Sequence, residues 1–403
     1  MSTIPINDPA SNGAFRVTTE LAHDLRRWQI PALIAGLVLL VVSIIGAFFR
    51  PDDFFRSYLF GYLFWIGLAL GSMAIVMTQY LTGGAWGVVT RRAFESATRT
   101  LPLLVILFVP IAIGIPRLYH WAQPNLVQAD DILRHRSGYM NIPWFIGRAA
   151  AYFVVWLIFA YFLNKWSREE DEAGSRQQRL ARLSAPGLIL YVFTVTFSSV
   201  DWAESLADHW FSTMWGFLFV AGQALAAMCF GIIVIALLSR RKPMAEALRP
   251  SHFHDLGKLV LMLLMLWAYF QFSQLLIVWS GNLSNEIPWY LPRFATTWHG
   301  VGAALIYVQF LVPFLLLLSR PLKRNRWTLS VIVLALLIMR FVDLFWIVMP
   351  QFHLSGFHVS WLNFSVPLAL GGIWIATFLW QLQKRPLLPL QDPSLEQALH
   401  HGE

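Results

Sequence analysis

Charge is scarce in this chain. Asp, Glu, Lys and Arg together make up 13% of its residues, against ~25% for a typical soluble domain. A single cysteine, Cys229, lies in an apolar run. One cysteine excludes an internal disulfide, a cysteine-ligated iron–sulfur cluster and a CxxCH haem attachment, and Cys229 reads as a packed core thiol. P-loop, GxSxG and HExxH patterns are absent, so the corresponding nucleotide, hydrolase and zinc chemistries have no motif here. No loop is long enough to fold as a domain of its own. A membrane b-type cytochrome needs paired axial histidines on facing helices. His120, His135, His252, His254 and His353 instead fall mostly in loops, so neither haem nor a metal site is expected.

What the chain has is hydrophobic length. Apolar residues make up 57% of it, and they fall into long runs that read as ten membrane helices. These are placed at Ile30–Phe49, Tyr58–Tyr80, Leu101–Ile115, Pro143–Leu163, Pro186–Phe197, Phe211–Leu238, Leu259–Trp279, Phe294–Leu318, Trp327–Val348 and Trp361–Leu382. The third and fifth are short as drawn and should extend further. Pro102, Pro110 and Pro116 should kink the third. The fold class is an all-α polytopic membrane protein: an N-terminal segment 1–29, a membrane domain 30–382 and a tail 383–403. The polar stretch before the first span is too long and mixed for a signal peptide, so that span is expected to be a retained anchor.

The net charge of +8 fits basic loops beside anionic lipid better than nucleic acid. Cations alternate between the two sides. One set of loops carries Arg16, Arg26 and Arg27; Arg91, Arg92 and Arg99; Lys165, Arg168, Arg176, Arg179 and Arg182; Arg240, Arg241, Lys242, Arg249 and Lys258; Arg320, Lys323, Arg324 and Arg326; and Lys384 and Arg385. The other carries only Arg50, Arg56, Arg117, Arg134, Arg136 and Arg293. The first set is expected in the cytoplasm, with both termini. Trp202, Trp210, Trp279, Trp289, Trp298 and Trp361 fall near the outer boundary and read as an aromatic belt. The loop Ser167–Ser184 reads as a solvated turn, and the tail after Pro386 as unstructured or docked on a partner.

Polar groups inside the spans are few. Arg340 and Asp343 share one face of the ninth helix at i, i+3 spacing, with Arg340 ~20 Å from the cytoplasmic end. They suit either a structural ion pair or a proton relay, since intramembrane charges are costly and tend to mark pathways. Burial opposes the charge on Asp343 and Arg340 favours it, so this carboxyl is the best candidate to change protonation. Between the fifth and sixth helices, Asp201, Glu204 and Asp208 follow a helical spacing beside His209. They read as an ordinary acidic loop with helix caps, or as a proton exit or partner contact. Arg148 and His299 lie toward the same side. Gln223, Gln271, Ser273 and Gln274 are neutral groups of the kind that join membrane helices.

Several outer motifs form a familiar set. They are Ser199-Val200-Asp201-Trp202, Ser205-Leu206 and His209-Trp210-Phe211-Ser212-Thr213; Phe272-Ser273-Gln274 through Trp279-Ser280-Gly281-Asn282 to Glu286-Ile287-Pro288-Trp289-Tyr290; and Arg340-Phe341-Val342-Asp343-Leu344-Phe345-Trp346 before Pro350. Together they resemble the second NrfD-like membrane subunit of bacterial alternative complex III, over most of the chain from helix two to helix ten. Glu204 and Ala207 depart from the pattern, which leads one to expect a neutral and an acidic residue respectively. The resemblance implies two four-helix bundles, helices 2–5 and 6–9, flanked by helices 1 and 10. It implies a place in a quinol-oxidising complex of the bacterial inner membrane. The partners would be an iron–sulfur subunit, a multihaem cytochrome c subunit and a second NrfD-like membrane subunit, passing electrons to cytochrome c or a cupredoxin.

On this reading Asp201, Glu204, Asp208, His209, Arg340 and Asp343 form a proton route. Arg148, Gln274, Glu286 and His299 line it or meet the headgroup of a quinone, menaquinone or ubiquinone. Two other classes stay open: a secondary transporter, which also explains ten spans with buried charge, and a scaffold subunit whose buried ions serve packing alone.

Overall fold

The computed structural model describes Phe15 and residues 17–399; Arg16 lies outside the described residues. The principal helices are α1 (Thr19–Phe49), α2 (Pro51–Thr82), α3 (Val88–Thr98), α4 (Leu101–Ile106), α5 (Val109–Leu118), α6 (Ile142–Ala173), α7 (Gln177–Trp202), α8 (Trp215–Leu238), α9 (Pro250–Gly281), α10 (His299–Ala304), α11 (Val312–Leu318), α12 (Arg326–Val348), α13 (Leu362–Leu382) and α14 (Leu395–Leu399). A π-helical stretch, Leu305–Leu311, joins α10 to α11. Among the described residues there is no strand. Nine spans among them are long and apolar enough to cross a membrane, and a tenth forms if α3–α5, bent by 56°, is taken as one.

The bend has a local cause. Pro102 and Pro110 stand in the first turns of α4 and α5, where a missing N–H does least harm. The interruption frees carbonyls, which in lipid must find other donors. Two tyrosines of α2 supply them: Tyr58 donates to Leu107 O at 2.8 Å and Tyr62 to Leu104 O at 3.0 Å.

Packing follows two four-helix groups. The first joins α2, α3–α5, α6 and α7; the second joins α8, α9, α10–α11 and α12. They meet where α2 and α7 pack on α8, and where α2 packs on α12. Gly71 lets the backbones approach closely, since a Cβ there would lie 2.2 Å from Gln223 O. The flanking helices α1 and α13 lie together through Gly36 and Gly372, whose added Cβ atoms would strike the facing backbone at 2.8 and 2.5 Å. Backbones approach this closely only where side chains are absent. Most of the rest of α1 presents Ile34, Val38, Val41, Ile45 and Phe48 outward, as expected of a helix facing lipid.

Three expectations need correction. The Ser167–Ser184 stretch is almost entirely helix, with only Gly174–Arg176 between α6 and α7, and Ser167 and Glu170 are buried. The tail is docked on its own chain. Leu387, Leu388, Leu395 and Ala398 are buried, and Leu387 N donates to Phe15 O at 3.0 Å, which puts both described ends on one face, here the terminal face. Of the six tryptophans read as a belt, Trp202, Trp210, Trp289 and Trp298 are core residues, whereas Trp279 and Trp361 are exposed. Trp298 turns inward with its Nε1 donating to His353 O at 2.9 Å, whereas the buried Nε1 of Trp202 and of Trp210 has no partner among the described residues, and these rings are held by aromatic packing.

Candidate functional site

The ninth apolar run is α12, and its buried pair forms as the spacing demands: Arg340 Nη1 lies 2.5 Å from Asp343 Oδ2. Asp343 is wholly buried. It also accepts from Trp267 Nε1 at 3.3 Å and Gln271 Nε2 at 3.4 Å, both on α9. The guanidinium has room because α8 offers Gly222, where a Cβ would sit 2.4 Å from Arg340 Cζ. Asp343 is five residues short of the end of α12, ~8 Å below the face opposite the termini.

Gln274, one turn beyond Gln271 on α9, continues toward that face. Its Oε1 accepts from the Ser212 hydroxyl. The Ser212 N–H in turn donates to Glu204 Oε1 at 2.5 Å. Glu204 is buried in a 3-10 turn just after α7. A polar ladder therefore runs from Asp343 past Gln271, Gln274 and Ser212 to a second buried carboxyl. Amide side chains do not carry protons readily, but they can order water between groups that do, and the two carboxyls of this ladder, Asp343 and Glu204, are its titratable members.

Asp201 belongs to a different constellation. Arg148 of α6 meets it with two parallel bonds, Nε–Oδ2 and Nη2–Oδ1, each 2.9 Å, and Tyr152 donates to Oδ2 at 2.8 Å. Arg148 also donates to Tyr139 O and lies over the Tyr139 ring, 3.8 Å from its centroid. Asp208 and His209 sit further out. His120 Nδ1 is 2.6 Å from Asp208 Oδ2, and His209 Nε2 is 2.8 Å from Asp130 Oδ2. The hydrogen bond to Asp208 holds the His120 imidazole above its ordinary value. The expected alignment of Asp201, Glu204 and Asp208 on one helical face does not form, because α7 ends at Trp202 and the chain turns.

The residues proposed to line a quinone site are each held by separate partners or lie in separate segments. Arg148 and Gln274 are engaged as described. His299 is exposed, with Nδ1 2.7 Å from Thr296 O, and Glu286 is half-buried in the loop after α9. Among the described residues these four share no hydrogen bond or ion pair.

Several notable groups gave no signal in the sequence. Arg293 is fully buried without a carboxylate partner among the described residues; it donates to Trp289 O, Trp346 O and Ile347 O, and lies 3.5 Å from the Trp289 ring centroid. Burial drives that guanidinium well below its usual value. Gln309, in the π-helical stretch, is buried with both amide atoms lacking a partner among the described residues. Asp53, His353 and His358 bring ligand-type atoms within 4.8 Å of one another, a set the sequence reading did not anticipate. Arg50 and Arg56, 3.8 and 4.0 Å from Asp53, already supply it with positive charge and oppose a metal there.

The terminal face holds a second ionic cluster, formed from positions that read as loop cations. Arg92 binds Asp171 at 2.5 and 2.6 Å and Glu95 at 2.7 Å; Arg91 reaches Asp392 of the tail at 2.7 Å and Glu170 at 3.5 Å. The class of protein is thus an all-α polytopic membrane protein with buried ion pairs near both faces. Compared with known proteins, the chain matches no family model and no curated protein.

Proposed function

We propose that this chain is the second NrfD-like membrane subunit of a quinol-oxidising complex of the alternative complex III type. It would sit in a bacterial inner membrane with both termini cytoplasmic, and contribute a proton route rather than a redox centre. The observation that carries the reading is the ladder from the buried Arg340–Asp343 pair to Glu204. It ends near the face where the family resemblance puts the electron-accepting subunits. Quinol oxidation releases two protons with two electrons, and those protons need an acceptor and a way out. In this proposal the neighbouring NrfD-like subunit oxidises the quinol. Iron–sulfur and multihaem cytochrome c subunits carry the electrons to cytochrome c or a cupredoxin, and Asp343 and Glu204 pass protons outward.

Asp343→Asn in the assembled complex is the test. The variant should assemble normally, because Asn still accepts from Trp267, while quinol oxidation or its coupled proton release falls at least tenfold, in the range usual for a lost proton-transfer group. Full coupled turnover would instead favour a scaffold. That second reading has one observation of its own: Asp201 is saturated by Arg148 and Tyr152, as a structural ion would be.

A further inference from the structure

On the terminal face a groove opens between the start of α4, the end of α6 and the residues just after α13. It consists of two adjoining cavities of about 1000 and 460 Å³ that share Arg99, Arg168 and Arg385. Lys384 completes the cationic wall of the first, and Lys165 that of the second. Each cation stands where an apolar run meets water: Arg99 just before Leu101, Lys165 and Arg168 just after Leu163, and Lys384 and Arg385 just after Leu382. Of the two carboxylates on the wall, Asp171 is already bound by both oxygens to Arg92. Arg99 Nε and Arg385 Nη1 are buried without a hydrogen-bond acceptor among the described residues. The nearest carboxylate to Arg385 is Glu95 at 3.6 Å. Below the cations the smaller cavity is lined by Pro102, Leu157, Ala160 and Tyr161. This apolar wall continues along the membrane through Ile106, Val154 and Ile158, all exposed.

We propose that this groove binds the phosphodiester headgroup of an anionic phospholipid, with one acyl chain lying along α4 and α6. Arg99 donates through Nη2 to Ser96 and Arg385 through Nη2 to Asn164 O, so each partly buried guanidinium keeps one nitrogen without an acceptor among the described residues; such nitrogens call for an anion, and planar donor forks suit phosphate oxygens. Basic pockets between membrane helices at the interface are the usual form of such sites. A free phosphate would satisfy the cations but leave the apolar wall uncovered, so the lipid is the better fit.

The test uses the purified full-length chain in detergent. Native mass spectrometry reads retention of phosphatidylglycerol against phosphatidylcholine, and displacement by inorganic phosphate. Wild-type protein should retain phosphatidylglycerol in preference to phosphatidylcholine. Arg99→Gln/Arg168→Gln should weaken retention about tenfold or more, and Arg240→Gln, on the same face outside the groove, should leave it unchanged. If Arg99→Gln impairs folding, Lys165→Gln/Arg168→Gln at less buried positions gives the same reading. Equal retention of phosphatidylcholine, undiminished retention in the variants, or complete displacement by inorganic phosphate would each overturn the assignment.

Discussion

The Arg148–Asp201 pair shows how a buried ion behaves when its geometry is complete. Two parallel bonds and a tyrosine hydroxyl offset the desolvation of a carboxylate with no exposed surface. Removing one partner leaves the other charged and buried. Arg148→Ala should therefore cost about 3–5 kcal/mol, whereas Arg148→Met/Asp201→Leu should cost less than either single change; thermal unfolding of the detergent-solubilised chain checks both. His120 and Asp208 are different, being partly exposed. Asp208 raises the imidazole, Arg56 opposes it from nearby, and Arg136 donates to the Asp208 carbonyl. A raised histidine stabilises fully below its ordinary value and loses that contribution as pH climbs through the raised one. Protection of residues 204–213 from hydrogen exchange, compared with His120→Gln at each pH between about 5 and 8, should exceed the variant's at the acid end and converge with it at the alkaline end. A constant difference would mean that protonation of His120 does not stabilise this segment. At this scale the sequence showed Arg340 with Asp343, because i, i+3 spacing is local. It could not show Arg148 with Asp201, which come from different helices, or Ser212 with Glu204 and Gln274, because Ser212 meets one across an irregular turn and the other on α9.

At the scale of elements, the apolar runs located the helices but not their ends. Helix α7 continues through charged Arg179 and Arg182 at one end and through Asp201 at the other. Hydrophobic patterning stops where tertiary pairing begins, and the Ser167–Ser184 stretch looked like a loop because its acids are matched by arginines far away in sequence. The tail is the other case. Its leucines pack beneath the bundle, Asp392 meets Arg91, and Leu390 N donates to Asp171 at 3.2 Å. Cutting the chain after Gln383 removes Arg385 and Asp392 from the ionic cluster and takes away the buried Leu387 and Leu388, exposing the surface they cover. The shortened protein should unfold at lower temperature and become sensitive to protease in the α6–α7 turn. Asp392→Asn alone should reproduce part of the shift, since it strands the buried Arg91 without one of its three carboxylates. An unchanged melting temperature in the truncated chain would mean the tail contributes nothing to the fold.

For the whole molecule, the division into two helix groups with α1 and α13 at the flank follows from which faces carry glycine and which carry leucine, isoleucine and valine. The ten apolar runs were legible at once; that α2 would be the most enclosed of them was not, since an all-apolar helix looks alike in lipid and in protein. Sidedness rests on charge asymmetry, and it can be read directly. Ser175, in the α6–α7 turn, and Ser284, after α9, are both exposed, and three spans separate them. Cys229 is fully buried and should ignore polar reagents, so the native chain is already a silent background for labelling. In right-side-out bacterial vesicles an impermeant maleimide should label Ser284→Cys at once and Ser175→Cys only after lysis, because the cation-rich face is retained inside. The reverse pattern would invert the orientation and put the Glu204 end of the ladder in the cytoplasm, where it could not serve as an outward exit. Labelling of both from one side would break the odd span count between them, and with it the placement of every charge on either face.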